Sequence, residues 1–260
     1  MPPNPPLTLS DWPALLLLVF VGAVASGINA VAGGGTLISF PVLVRLGVPE
    51  LPANATNSVA LWPGSLAGAF GFLPQLKKTG RYLRTLLLPT FLGAVAGAVL
   101  LLSTSERSFQ IAVPVLILFA TVLLAFQPQL KAFAKQPGRH IGPAAGVVFQ
   151  FLISVYGGYF GAGMGILMLA YLGLMVEGDL HELNALKTWL GLVINLVASA
   201  LFVGKGLVQL WPAVALTIGS ILGGYGAAVF SQRANPDKLR KAIVVYGFLM
   251  SGWFAYRAFA

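Results

Sequence analysis

Two glycine clusters and two polar helix starts hold the residues whose types and spacing suit chemistry. Gly33-Gly34-Gly35-Thr36 and Gly161-Ala162-Gly163-Met164-Gly165 each stand between a long apolar run and a short one. Glycine permits positive φ and close backbone approach. A helix restarting at Thr36, and another at Gly165, offers first-turn N–H groups that lack partners inside the helix. Those donors and the positive end of the helix dipole attract an anion. Tight packing through small residues is the plainer account of the same glycines. Their duplication, at the start of two short runs, weighs toward a site.

Asn54, Thr56, Asn57 and Ser58 open the run after the first cluster, and Asn184, Lys187 and Thr188 open the run after the second. Asn184 and Lys187 are three apart and share a helix face. Lys187 either faces an anion or snorkels to water. Asn54 and Thr56 either line the site or cap their helix. Asn29, Ser65, Gln150 and Asn195 fall in apolar runs, where each needs a partner or a cavity. Asp179 and Glu182 have the spacing of a capping box. His181 between them is the one candidate for titration near neutral pH, with the cap as the favoured account of this cluster. No Asp or Glu falls mid-run, which speaks against an intramembrane carboxylate relay.

The elements that position these residues are legible from composition. Of 260 residues, 57% are apolar and 9% charged, with a mean hydropathy of +0.86. A soluble domain carries about 25% charged residues, so most of this surface belongs in lipid. The net charge is +9. The bases are scattered in short loops, which fits the positive-inside bias and attraction to anionic lipid, and excludes nucleic acid as a partner. There is no cysteine, and His140 and His181 make no ligand pair, so neither a metal nor a cofactor is expected. The start of the chain lacks a basic n-region, so the first run reads as a retained span.

A membrane helix needs about 20 apolar residues. Runs near 12–32, 53–75, 84–102, 108–126, 141–160, 183–203, 209–230 and 241–259 reach that length, while 35–47 and 163–176 fall short. The short runs are tilted spans or re-entrant segments. Basic clusters at Lys77 to Arg84, Lys131 to Arg139 and Arg233 to Lys241 should face the cytoplasm. Ten spans with both termini outside satisfy all three; eight spans, with both short runs re-entrant, stay open.

The two halves repeat. Gly27, Gly33, Gly35 and Asn54 recur 130 positions later as Gly157, Gly163, Gly165 and Asn184. Gly80, Gly93 and Gly97 recur 126 later as Gly206, Gly219 and Gly223. The pairs Gly64/Gly68, Gly93/Gly97 and Gly219/Gly223 read as close helix crossings. The expected fold is therefore an all-α polytopic membrane protein of about ten segments. Residues 1–130 and 131–260 form two repeats of one membrane domain. Because five is odd, the repeats lie inverted, an arrangement usual in secondary transporters, with the substrate at the repeat interface.

GINAVAGGGTLISFPVLVRLGVP, followed by NATNSVALWPGSLAGAF and the glycine-rich helix after Gly80, resembles the TauE/SafE family, the group named for sulfite export. The pattern recurs more faintly in the second half. The resemblance implies transport, with export as the named direction, of small organic or sulfur-containing anions across a bacterial inner membrane. The matching positions are Gly33, Gly34, Gly35, Asn54, Thr56, Asn57 and Ser58, then Gly163, Gly165, Asn184 and Thr188. Thr56-Asn57-Ser58 in place of the family's usual Thr-Ser pair, and Lys187, depart from the pattern where specificity would be set. Sulfite itself is therefore not carried over. The expected binding set adds Thr36 and Lys187 to those positions and contains no catalytic residue. The expected partners are a small anionic substrate and membrane lipid, with a homo-oligomer among the open alternatives. An anion channel and, further off, an intramembrane enzyme are the competing functions.

Overall fold

The computed structural model describes residues 7–31, 34–71, 76, 78–134, 141–176, 178–230 and 236–259. Among them there is no strand. The helices in chain order are α1 (Trp12–Val31), α2 (Thr36–Arg45), α3 (Glu50–Gly71), α4 (Gly80–Ser103), α5 (Glu106–Ala125), α6 (Gln127–Ala134), α7 (Pro143–Tyr159), α8 (Met164–Met175), α9 (Leu180–Gly204), α10 (Leu210–Phe230) and α11 (Pro236–Phe259). The apolar runs of the sequence coincide with ten of these. The amphipathic α6, in a basic loop, was not anticipated.

Among the described residues, five helices are long and apolar enough to cross a membrane: Leu9–Asn29, Gly80–Ser103, Glu106–Ala125, His181–Gly204 and Asp237–Phe259. Shorter apolar helices include Thr36–Arg45 and Met164–Met175. Their outward faces are oily: Leu88, Phe91 and Leu92 on α4 and Val115 and Phe119 on α5 are all exposed. Lipid is the solvent in which that surface costs nothing.

The ends of the helices follow local rules. Ser105 caps α5, its Oγ accepting the Ser108 N–H at 3.1 Å. Gly142, with Pro143 in the first turn, opens α7. Asp179 forms the expected capping box with Glu182 at the start of α9. The Glu182 and His181 N–H groups hold its carboxyl below the usual carboxylate range. The acidic cluster is thus a cap, and Glu182 also pairs with Lys78 at 3.1 Å.

Glycine, rather than oil, holds the helices together. In lipid there is no hydrophobic drive between helices, so close van der Waals approach must serve. A Cβ on Gly219 would meet the Val19 carbonyl, and one on Gly223 the Ala23 carbonyl. A step of four along α10 is thus a step of four along α1, so the two lie parallel. Gly93 against Phe151 and Ser154, with Gly97 against Val155 and Tyr159, sets α4 parallel to α7 in the same way. Helix α3 packs on α9 and α10, α4 on α9, and α5 on α11. Gly64 meets Ser220 and Ser26; the side-chain position of its partner Gly68 lies outside the described residues.

One polar knot lies inside this packing. The Gln150 amide donates to Thr90 Oγ1 at 2.7 Å and to Ser154 Oγ at 3.1 Å, and accepts from the Tyr171 hydroxyl. It ties α4, α7 and α8 together. Gln150→Leu strands the buried Tyr171 hydroxyl, which costs about 1–3 kcal/mol. The apparent melting temperature in detergent should fall, and adding Tyr171→Phe should recover part of the loss. If the double variant melts no higher than Gln150→Leu alone, the knot does not carry that stability.

Candidate substrate site at the glycine turns

The first turn closes on itself more than its sequence suggests. Gly34 has φ +92°, a conformation that favours glycine. The Gly35 N–H donates to Asn29 Oδ1 at 2.7 Å, so a side chain of α1 already sits at the positive end of α2. The N–H groups of Leu37, Ile38 and Ser39 return to the carbonyls of Gly34 and Gly35 at 2.9 to 3.1 Å. Helix α2 starts at Thr36, as the sequence predicts, but these first-turn donors have partners. Gly33 lies outside the described residues. Thr36 is half-buried at the helix start.

The second turn is more open to a ligand. Gly161 and Gly163 have φ of +78° and +77°. The helix restarts at Met164 rather than Gly165, because left-handed Gly163 serves as its N-cap. A Cβ on Gly165 would touch Lys187 Cδ at 3.5 Å, so the lysine stem lies across this helix start. Lys187 Nζ donates to Asn184 Oδ1 at 3.0 Å, and Thr188 Oγ1 donates to the Asn184 carbonyl at 2.7 Å. The structure therefore brings Gly165, Asn184, Lys187 and Thr188 together. A cation and an amide stand over the positive end of a 12-residue helix.

Helix α3 begins at Glu50, so Asn54 and Thr56 lie a turn inside it and neither is its cap. The buried Thr56 accepts the Gln209 N–H at 3.0 Å and latches the start of α10. Ser58 Oγ donates back to the Asn54 carbonyl at 2.9 Å. Asn54 Nδ2 donates to the Tyr159 carbonyl at 2.9 Å, at the entry to the second glycine turn. Asn54 and Asn57 are only 1% and 2% exposed, and neither Oδ1 has a hydrogen-bond partner among the described residues. Buried amide oxygens without partners are uncommon and call for an explanation. Trp189 Nε1, one residue beyond Thr188, is in the same position.

Both turns abut one stretch of α5. Gly34 faces Leu124, and Gly163 faces Ala120 and Leu123. Gly34 and Gly35 are buried, whereas Gly161, Gly163 and Gly165 are half-buried. A cavity of about 260 Å³ opens between the far end of α2 and α11, lined by Pro41, Val42, Arg45, Tyr246, Met250 and Trp253. Two acidic side chains also matter that the apolar runs did not flag, Glu50 and Glu106, at the starts of α3 and α5: Glu106 Oε1 accepts the N–H of Leu51, and Glu50 Oε2 accepts from Gln110 on α5 at 3.1 Å. Their only trace in the sequence is an acidic residue at the start of each run.

The family model for the sulfite exporter TauE/SafE matches residues 18–254. The chain belongs to the TauE/SafE family. A probable membrane transporter protein of Haemophilus influenzae is 29% identical over 250 residues, covering 93% of this chain and 97% of that one. The probable membrane transporter protein YfcA of Escherichia coli K12 is 24% identical, covering 94% and 91%. A probable membrane transporter protein of Sinorhizobium is 24% identical, covering 89% and 88%. No solved structure matches. With its apolar helices, this TauE/SafE protein is a multi-pass membrane protein of a transporter family.

Proposed function

We propose that this TauE/SafE protein is a secondary transporter of a small organic or sulfur-containing anion, such as sulfite, a sulfonate or a carboxylate, working by alternating access in a bacterial inner membrane. The observation that carries the reading is Lys187, laid across Gly165 and hydrogen-bonded to Asn184 where α8 begins. The anionic head binds there, between the ammonium and the helix start. Asn54 and Asn57 present amide oxygens, without partners among the described residues, to donor groups on the remainder of the substrate. At the first turn, Asn29 already holds the Gly35 N–H, so Gly34 to Thr36 act by shaping the backbone more than by binding charge.

The same reading has ten crossings in two inverted repeats of five helices. Contacts sort by face in its favour. Glu50 meets Arg257, Thr104 meets Tyr159, and Thr56 meets Gln209. These lie on the outer side in a ten-span count. Lys78 meets Glu182, and the Ile141 N–H meets the Leu174 carbonyl, both on the basic, inner side. An eight-span count puts Lys78 and Glu182 on opposite sides of the bilayer. The packing is also matched across halves: α1 on α10 answers α4 on α7, and α3 on α10 answers α9 on α4. Interfaces of that kind set the substrate between repeats.

A melting screen of the detergent-solubilised protein against sulfite, sulfonates, carboxylates and neutral analogues tests the ligand class. An anion at a hundred times its Kd should add about 2.7 kcal/mol of apparent stability. If only neutral compounds raise the melting temperature, the anion reading is wrong.

A further inference from the structure

We propose that Glu50 and Glu106 form a proton-binding site through which anion transport is coupled to proton movement. The proposal rests on the anion-transport reading above. Glu50 opens α3 and is 3% exposed, although it is a carboxylate. Its Oε2 accepts from Gln110 Nε2 at 3.1 Å, and its Oε1 lies 3.4 Å from an Arg257 guanidinium nitrogen. Glu106 opens α5, and its Oε1 accepts the Leu51 N–H at 3.2 Å. That bond sets the Glu106 carboxyl against the backbone of the residue that follows Glu50, so the two acidic residues are neighbours across α3 and α5. Two neighbouring carboxylates taken out of water repel, and a proton on one of them removes the repulsion.

The charge count says the same. Three helices converge here, and the groups that face the pair are Gln110 on α5 and Arg257 on α11. Arg107 and Arg45, on α5 and at the end of α2, are exposed. Tyr159, at the end of α7, turns its hydroxyl to Thr104 at 3.5 Å. The inner wall is aromatic: Phe109 packs on Tyr159 and Phe160, and Phe160 on Phe40. Glu50, Glu106 and Arg257 together carry −1 with both carboxyls ionised and zero with one proton bound. The step is Glu106 carboxylate plus H⁺ giving the neutral carboxylic acid beside the Glu50 carboxylate. Release reverses it.

A second observation ties this site to the substrate. Glu50, Asn54 and Asn57 are spaced i, i+4, i+7 and share one face of α3. The two asparagine oxygens below Glu50 are buried and have no donor among the described residues. That face is a row of acceptors leading from the carboxyl pair toward the second glycine turn, which Asn54 touches through Tyr159. A negative charge at the head of the row repels an arriving anion, and a proton there removes the repulsion. Proton and anion are thus taken together, as charged groups buried in membrane proteins commonly serve transport.

The test uses full-length protein in liposomes with radiolabelled methanesulfonate, whose charge is fixed across the working pH range. Wild type should accumulate it under a pH gradient and exchange it in counterflow without one. Glu106→Gln should keep counterflow, which also shows that it is folded, and lose gradient-driven accumulation at least tenfold. Undiminished accumulation in Glu106→Gln, or wild-type exchange indifferent to the gradient, overturns the coupling and leaves anion transport standing. No wild-type exchange of methanesulfonate, nor of sulfite in its place, overturns the transport reading and coupling with it. The proton site is then judged by infrared difference spectra alone: a carboxylic-acid band that titrates in wild type and is missing in Glu106→Gln upholds it, and no such band removes it.

Discussion

Lys187→Met will weaken anion binding by about tenfold to a hundredfold. The estimate follows from a charge-assisted hydrogen bond, which contributes about 1.5–3 kcal/mol, at about 1.4 kcal/mol per decade of affinity. Methionine keeps the apolar stem that lies over Gly165 and removes only the ammonium. Lys187 is half-buried and its Nζ sits on Asn184 Oδ1, so the fold should survive with a modest change in melting temperature. Uptake of the anion that the melting screen selects, compared with a neutral analogue, reads the effect. Unchanged uptake removes Lys187 from the site. Gly165→Val should reproduce part of the loss from the other side, because its methyl groups enter the space of the lysine stem, whereas alanine makes ordinary contact there.

The largest effect on folding is expected at the helix crossings. Gly223→Leu and Gly97→Leu place side chains onto the carbonyls of Ala23 and Val155. Overpacking a core costs about 1–3 kcal/mol when side chains can shift. Here the obstacle is backbone, so the cost lies at or above the top of that range. Each variant should lose monodisperse protein on size exclusion in detergent. Gly252→Leu is the control: it sits on an exposed face of α11, and a Cβ there meets nothing within 4 Å. It should behave as wild type, with a slight gain from better helix propensity. If all three behave alike, the crossings do not depend on glycine.

Much of the fold is written locally. The apolar runs end where Gly, Pro or a charged loop intervenes, so α4, α5 and α8 fall within a few residues of their expected bounds. The Asp179–Glu182 cap and the glycine crossings likewise depend on spacing alone. Helix α6 escaped because eight amphipathic residues carry no membrane-length signal. Helix α3 starts earlier than expected because Pro52 is tolerated in a first turn, and this moved Asn54 from a cap to an interior position. The candidate site was legible as residue types but not as partnerships. That Asn29 turns back onto Gly35 depends on how the turn folds. That Glu50 meets Arg257, and Glu106 the Leu51 N–H beside it, depends on three helix ends arriving together, and no spacing rule reaches across that distance.

The parallel crossing of α1 with α10 has a consequence for how the chain is made. Val19 and Gly219, which touch in the finished protein, are 200 positions apart. At about 5–20 residues per second of synthesis, α1 waits roughly 10–40 s in the bilayer before its partner emerges from the ribosome. During that wait the Val19 and Ala23 positions of α1 lack the two glycines on which they pack in the finished protein. Interleaving therefore makes completion of translation, rather than insertion of the first helices, the event that commits this protein to its structure. A nascent chain stalled before α10 should remain extractable from the membrane and sensitive to protease, where the released chain is neither.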